Sequence, residues 1–199
     1  MSTETAPTLI SSIRAEYERY KALSEGALAQ VNDADLCART GDGSNSIAVL
    51  VWHLSGNLAS RFTDFLTTDG EKPWRKRDEE FSARVVSRDE LLKKWELGWA
   101  VLFSALDALT DADLQRVVMI RKQPLRVHQA LQRSLAHASY HAGQIVLIAR
   151  SFCGEHWKSL TIPPGGSQAY NSDPKFEQAG GHAEKLRAST DASREPKQK

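Results

Sequence analysis

The hydrophobic residues of this chain recur at intervals of three and four positions over long stretches, which is the periodicity of an amphipathic helix. The first such stretch covers about residues 8–31. A second follows the cluster Ser44, Asn45 and Ser46, whose side chains are typical helix caps, and it continues to about residue 67. Because each stretch has one apolar face, we expect both helices to pack into a shared core.

Two further helical stretches lie in the second half of the chain. One opens with Ser87-Arg88-Asp89-Glu90, which has the form of a capping box, and carries apolar residues at helical spacing to Leu109. The other begins near Pro124, since proline is tolerated in the first turn of a helix, and ends near Arg150. Four long amphipathic helices with little strand signal predict an all-α fold, a four-helix bundle.

The segments between these helices carry weaker patterns. The run Val117-Val118-Met119-Ile120 has the character of an extended segment, but we expect it to be too isolated to form a sheet. The basic run Arg75-Lys76-Arg77 is followed at once by the acidic run Asp78-Glu79-Glu80, and this balance predicts a solvated loop. Trp74, which precedes the basic run, is the aromatic residue to consider as a lid over a pocket.

One domain is predicted over residues 1–170, and a different kind of sequence follows it. Residues 151–170, which include Pro163-Pro164-Gly165-Gly166, predict a short irregular segment packed on the helices. Residues 171–199 are polar and contain few apolar side chains, so they bury too little surface to offset the entropy of ordering. We expect this tail to be mostly disordered.

Charge and hydropathy argue against several classes of protein. The chain has 26 Lys and Arg against 25 Asp and Glu, without the basic stripe that indicates nucleic-acid binding. No apolar run approaches the roughly 20 residues of a membrane helix, and the polar start resembles no export signal. The two cysteines, Cys37 and Cys153, are expected to be free thiols in a reducing compartment. These features predict a cytoplasmic protein.

Three histidines are the strongest candidates for chemistry. His137 and His141 stand four residues apart in the last helical stretch, which is about one turn, so both imidazoles leave the same face. That face also carries Ala130 and Ser134, small residues that leave room for an ion and a water. His53 lies in the second helical stretch. Two ligands from one helix and one from another would hold a divalent metal and leave a coordination position open.

The alternative is that these residues are core histidines with no metal. Burying an imidazole without a partner costs on the order of 1–3 kcal/mol, so a metal or a hydrogen-bond network must compensate. For such a network the candidate partners are Ser134, Asn57 and Gln144. Spacing and burial alone leave the two interpretations open.

The remaining histidines are weaker candidates for metal ligands. His128 lies nearly opposite His137 around the helix axis. The segment Cys153-Gly154-Glu155-His156 has a Cys-x-x-His spacing, but it lacks the second close pair that a zinc knuckle needs. His182 falls in the polar tail, where we expect it to be solvated.

Residues 46–54 and 137–145 resemble motifs of the DinB/YfiT-like superfamily of metal-dependent four-helix proteins. The most specific part is the order of one histidine followed by His-x3-His-x2-Gln. The resemblance covers about residues 8–171. It is greatest to an uncharacterised bacterial branch, which has segments similar to residues 70–74 and 162–167.

The resemblance implies a ligand set, a cofactor and a class of substrate. In that superfamily the matching histidines, here His53, His137 and His141, bind a divalent metal, often zinc or nickel. Members of known activity are thiol-dependent transferases and isomerases that use small thiols such as bacillithiol or mycothiol. A small-molecule thiol substrate and a homodimer are therefore implied for this chain as well.

The function we expect is that of a metal-dependent thiol transferase or hydrolase. Three neutral imidazoles leave the full charge on the ion, which lowers the pKa of a bound water toward about 7 and favours a bound thiol as its thiolate. No glutamate follows His137, so the pair does not have the His-Glu-x-x-His arrangement of metalloproteases. Gln144 and Asn57 are candidates to support the ligands by hydrogen bonds, and no residue is assigned as general base.

Two other functions stay open at this point. The first is a non-catalytic, stress-related helical protein with a structural or vestigial metal site. The second is a dimerising helical module that binds no metal.

Overall fold

The computed structural model describes residues 7–194, and most of them are helical. Two short 3-10 helices, Asp111–Gln115 and Gly154–His156, flank the last long helix and the hairpin before it. The high helix content agrees with the prediction of an all-α fold. The exception is one two-stranded sheet. The other elements are α1 (Leu9–Leu28), α2 (Asp33–Cys37), α3 (Ile47–Phe62), α4 (Arg77–Glu80), α5 (Arg88–Asp107), β1 (Val117–Ile120), β2 (Gln123–Arg126), α6 (Val127–Cys153), α7 (Ser167–Ser172) and α8 (Ala179–Arg194).

Two long helices begin at the side-chain caps that the sequence predicts. Ser46 Oγ accepts a hydrogen bond from the backbone N–H three residues further on at 3.3 Å, at the start of α3. Ser87 Oγ does the same for α5 at 3.2 Å. α3 ends at Phe62, before the predicted end near residue 67, because Asp64 adopts a left-handed conformation with φ 48° that an α-helix cannot include.

The segment Val117–Ile120 is not isolated, so the prediction that it would form no sheet is wrong. It pairs antiparallel with Gln123–Arg126, and Met119 lies opposite Pro124. The prediction that α6 begins near Pro124 is wrong for the same reason, since this proline belongs to β2 and the helix starts at Val127. A two-stranded sheet has only edge strands, and an edge strand tolerates a proline without an N–H to donate.

The turn of this hairpin is held by a residue far away in sequence. Arg121 and Lys122 have φ values of 53° and 60°, a conformation for which turns of this kind prefer glycine or asparagine. Asp69 compensates, because its carboxylate accepts the backbone N–H groups of both residues at 2.8 and 2.7 Å. The hairpin is thereby fixed against the loop that follows α3.

The main core lies between α1, α3, α5 and α6, all of which contribute fully buried side chains. Most of the surface of α3 is buried, and its first six residues, 47–52, are all apolar. At the contact with α5, a Cβ added to Gly98 would lie 2.6 Å from Ser55 Cα, so only glycine permits this approach. α3 also packs on α6, and these two helices carry the three candidate histidines.

The expectation of a disordered tail is not met for residues 179–194. α8 packs along α1, where Ala183 and Leu186 are buried against Ala22. His182, expected to be solvated, is 3% exposed and donates from Nε2 to the carbonyl oxygen of Leu160 at 3.1 Å. A few buried side chains along one face are enough for α8 to pack on the preformed surface of α1. The overall composition of the tail does not predict this packing. Residues 195–199 lie outside the described part of the chain.

Of the segment 151–170 that was predicted to be irregular, only residues 157–166 are irregular, and they pack on the helices. The rest is helical, since α6 extends to Cys153, Gly154–His156 form a 3-10 helix and α7 begins at Ser167. Leu160 contacts the core, and its side chain fills the space that a Cβ at Gly26 would occupy. Cys37 and Cys153 are free thiols, in agreement with the sequence. Within residues 7–194, the helices are all too short or too polar to cross a bilayer.

Candidate metal centre

The three predicted histidines meet between α3 and α6. His53 comes from α3, while His137 and His141 lie one turn apart on α6. His137 Nε2 is 3.2 Å from His53 Nε2 and 3.1 Å from His141 Nε2. Each histidine offers one ligand atom to a group whose members all lie within 4.8 Å of one another. We call this group the histidine triad.

Two of the three distances between these nitrogens suit one divalent ion. Two nitrogens bound at about 2.0–2.1 Å in a tetrahedral site lie about 3.3–3.4 Å apart, which is close to the two distances from His137. Among the described residues no fourth His, Cys, Asp or Glu joins the group. Without an ion, one of the facing nitrogens must carry a hydrogen for these contacts to be attractive, so a hydrogen-bonded cluster is the competing interpretation.

His53 is oriented by a buried ion pair. Its Nδ1 lies 3.0 Å from Glu80 Oε2, and since a carboxylate only accepts, Nδ1 carries the hydrogen. Arg75 grips the same carboxylate through two hydrogen bonds of 2.8 Å each. In the neutral ring the lone pair then lies on Nε2, the nitrogen that faces His137. A carboxylate behind a histidine in this way fixes the ring and makes its free nitrogen a better ligand.

Burial opposes ionisation of Glu80, but the hydrogen bonds from Arg75 and His53 outweigh it and hold the pKa of this carboxyl below its ordinary value. The ionised form is therefore the relevant one near neutral pH. It places a fixed negative charge next to His53 and balances the positive charge of Arg75 in a site from which water is largely excluded.

The prediction of a solvated loop for residues 75–80 is wrong at both of its ends. Arg75 and Glu80 are 9% and 8% exposed, whereas the residues between them remain at the surface. A charged residue becomes buried when the fold supplies a partner, and here the two partners are five residues apart and close a loop over α3. The sequence analysis therefore missed Glu80, which holds His53, and Arg75, which holds Glu80.

Gly56, three residues after His53 in the middle of an apolar helix, is the sequence feature that indicates the approach of Glu80 to α3. Glycine inside a helix is unfavourable, so it often marks the close approach of another segment. A Cβ at this position would lie 2.2 Å from Glu80 Oε1. The missing side chain of Gly56 is what lets the carboxylate reach His53.

His141 is oriented by its own helix. Its Nδ1 donates to Gln144 Oε1 at 2.7 Å, and Gln144 Nε2 donates to the hydroxyl of Tyr140 at 3.2 Å. The supporting role predicted for Gln144 therefore has its contact in the structure. Asn57 and Ser134, the other partners considered, make no hydrogen bond to a histidine within the described residues and instead line the neighbouring cavity.

Two of the three histidines have lowered pKa values, which favour the neutral form that a metal needs. Burial, followed by the proximity of His141 and His53, lowers the pKa of His137 to about 3. Burial also lowers the pKa of His141, against the opposing hydrogen bond to Gln144. Neutral imidazole is the form that binds a metal. His137 Nδ1 is buried and has no hydrogen-bond partner within residues 7–194.

A cavity of about 310 Å³ adjoins one side of the triad and is lined by both His53 and His137. It extends along α3 through Asn57, one turn further on, and along α6 back to Ser134 and Ala130. The small residues expected to leave room beside the histidines do border this space. A molecule in the cavity can therefore reach the triad.

The other candidates from the sequence do not join this site. His128 lies on α6 outside the triad, and His156 lies in the 3-10 helix after α6. Trp74, considered as a lid, is 55% exposed and does not line the cavity, while its neighbour Arg75 does.

Comparisons with known proteins identify a family but no activity. Among solved structures, the crystal structure of a conserved protein from Enterococcus faecalis is similar, with 20% sequence identity and a TM-score of 0.59 over 75% of this chain and 100% of that chain. At this identity the likeness concerns the fold alone. No curated protein matches the chain. Residues 4–166 match the model of a family described as "Protein of unknown function (DUF1572)", and the chain therefore belongs to the DUF1572 family.

Proposed function

We propose that this protein binds one divalent metal ion through His53, His137 and His141 and uses it in catalysis. The observation that carries the proposal is the convergence of three imidazole nitrogens within 4.8 Å. Glu80 and Gln144, which hold the outer nitrogens of two rings, support it further. Zinc and nickel are the ions that the sequence resemblance implies, and imidazole suits both.

Such an ion would act as a Lewis acid and favour the deprotonated form of a water or thiol. The protein's own contribution is to hold the histidine rings in place and to admit a substrate through the adjoining cavity. Glu80 keeps His53 in the required tautomer, and Gln144 does so for His141.

Transfer of a small thiol to an electrophile is the reaction we place first. Hydrolysis is commonly assisted by a carboxylate that takes a proton from the attacking water, and no Asp or Glu of the described residues lines the cavity. A thiol has an ordinary pKa near about 8.5 and loses its proton more readily beside a metal or an arginine. Its sulfur would then form a bond to an electrophilic carbon as the bond from that carbon to a leaving group breaks. The leaving group would depart into solvent with the bonding electron pair, and the thiol proton would pass to solvent.

Membership of the DinB/YfiT-like superfamily is part of this proposal. It is supported by the four long helices around one core, which we interpret as the four-helix bundle of that superfamily, and by the position of Gln144 after the histidine pair. The homodimer and the cytoplasmic location stay predictions from the sequence.

The second candidate function is a non-catalytic protein in which the triad only stabilises the helices. It is favoured by the contacts of 3.2 and 3.1 Å from His137 Nε2, which are short enough for direct hydrogen bonds between the rings. In that case the histidines would be a polar cluster that needs no ion.

Metal binding is tested with purified protein that has been loaded with zinc or nickel and dialysed. Elemental analysis should find about one ion per chain in the wild type and less than a tenth of that in His137→Ala. His128→Ala is the matched control, because it removes a histidine of the same helix outside the triad. Equal metal contents in the two variants would refute the site.

Cobalt-substituted protein separates a catalytic from a structural ion. If the ion has an open position, a small thiol such as bacillithiol or mycothiol should produce new absorption from a sulfur–cobalt bond. Turnover of that thiol with a panel of electrophiles should be lost in His137→Ala and kept in His128→Ala. An unchanged spectrum and no turnover would favour the non-catalytic function.

A further inference from the structure

The cavity beside the triad is lined by arginines from four separate parts of the chain. Arg61 comes from α3, Arg75 and Arg77 from the α4 region, Arg121 from the hairpin turn and Arg133 from α6. The chain as a whole is nearly neutral, with a net charge of +1. Positive charge is therefore concentrated at this cavity and is not a general property of the protein.

The carboxylates near these arginines are too few to neutralise them. Arg61 and Arg121 share one carboxylate, that of Glu71, at 3.3 and 2.8 Å. Arg75 is paired with Glu80, which also serves His53. An excess of positive charge therefore remains in the wall of the cavity, where the local field attracts anions.

The other two arginines are paired weakly or not at all. Arg77 is 3.7 Å from Asp78, whose side chain is fully exposed, so solvent screens this contact. Arg133 is exposed and has no hydrogen-bond or ion-pair partner among the described residues. A guanidinium group with free donors at the edge of a cavity is available to an incoming anion.

Arg75 adds an unused donor inside the wall. Its side chain is 2% exposed, and its Nη1 has no hydrogen-bond partner among the described residues. A buried donor without an acceptor lowers stability, and such groups occur where a ligand completes the site. Arg75 is thus a cationic group whose hydrogen-bonding capacity the described residues do not fully satisfy.

The wall also includes three large apolar side chains. These are Phe62 at the end of α3, Phe65 three residues beyond it and Ile120 of the hairpin. Its volume of about 310 Å³ is that of a small-molecule site. An occupant that matches this lining has one anionic group and an apolar body.

We infer that this cavity binds an organic anion, a carboxylate or a phosphate ester, which the arginines hold beside the histidine triad. The planar guanidinium fork matches the paired oxygens of either group. The inference deepens the proposed function and rests on it for the reaction that follows, whereas binding of the anion depends on the arginines alone. In the proposed thiol transfer, the anion would be one of the two reactants.

The inference is tested by calorimetric titration of metal-free protein with benzoate, phenyl phosphate and the neutral benzamide. One or both anions should bind at least tenfold more tightly than benzamide, and their affinity should fall as salt is raised. The tighter of the two identifies the preferred anionic group. Equal binding of benzamide, or no binding of either anion, would overturn the inference.

The matched variants are Arg133→Ala and Arg150→Ala. Both remove an exposed arginine from α6 and change the net charge equally, but only Arg133 lines the cavity. We expect the affinity for the preferred anion to fall at least fivefold in Arg133→Ala and less than twofold in Arg150→Ala. Equal effects would show that the arginine acts only through overall charge and would contradict the inference.

A parallel titration with zinc-loaded protein keeps the two proposals distinguishable. If the protein does not hold zinc but still binds the anion in a way that depends on Arg133, the anion site is supported and the proposed metal function is refuted. Anion binding that needs zinc and is insensitive to Arg133→Ala would support the metal site and overturn the arginine site.

Discussion

Replacing Glu80 by glutamine tests the support of the histidine triad most directly. The substitution keeps the shape of the side chain and removes its charge. Glu80 accepts two hydrogen bonds of 2.8 Å from Arg75 and one of 3.0 Å from His53. The amide has only one accepting oxygen, so its NH2 group must face a donor of Arg75 or of His53, and at least one bond is lost.

The size of the effect follows from the burial of these groups. Arg75 is 2% exposed at its side chain, so its charge cannot regain water when the carboxylate is removed. Breaking a buried ion pair on one side costs about 3–5 kcal/mol, and the retained oxygen reduces this to about 2–3 kcal/mol. Loss of the carboxylate behind a metal-binding histidine weakens metal affinity about 10–100-fold.

Two assays read out these effects separately. Urea unfolding of metal-free protein measures the stability, and competition with a chelating indicator measures the affinity for zinc. The control is Glu79→Gln, which removes the same charge from the adjacent residue, where the side chain is 69% exposed and pairs only with exposed Lys76. It should change stability by less than about 0.5 kcal/mol and leave zinc affinity unchanged. If the two variants behave alike, Glu80 does not support the triad.

Three further predictions concern the surroundings of the triad. Gly56→Ala should weaken zinc binding about tenfold, because the added Cβ displaces Glu80. Gly143→Ala is the control and should leave zinc affinity unchanged, since a Cβ there meets nothing within 4 Å. Equal zinc affinities of the two variants in competition assays would contradict this prediction. The unfolding free energy of metal-free protein should be constant above about pH 7 and decrease as the pH falls below about 6.5. The pKa of His137 is lowered to about 3 in the folded state, so the unfolded chain binds the proton first as the pH falls. Urea midpoints measured from pH 7.5 to 5 should show a smaller decrease in His137→Asn, and an unchanged slope would refute this cause. Asp69→Ala should destabilise the protein by about 1 kcal/mol by urea unfolding, because its carboxylate accepts the two N–H groups of the hairpin turn, and an unchanged midpoint would show that the turn holds itself.

Much of the helical structure could be predicted from local sequence alone. The starts of α3 and α5 coincide with Ser46 and Ser87, because a cap and an apolar period act within a few residues of each other. The same locality explains why the histidine pair could be recognised. Two side chains four residues apart on a helix share a face wherever that helix packs.

The hairpin and α8 could not be predicted in this way. The turn at Arg121 and Lys122 has unsuitable residues for positive φ and depends on Asp69, some 50 residues earlier in the chain. α8 has too little apolar surface to be stable alone, and it packs on the side of α1 that α8 itself covers. In both cases a distant partner supplies the stabilisation that the local residues lack.

The amino-acid sequence by itself determined that the chain is mostly helical and that His53, His137 and His141 are the residues to examine. Only the tertiary structure decided that their nitrogens converge, that Arg75 and Glu80 are buried behind His53, and that arginines gather at one cavity. The physical reason is that a helix is stabilised by its neighbours in sequence. A charge can be buried only where a partner is present to compensate for the loss of water. Both the partner and the exclusion of water arise only after distant segments have packed together.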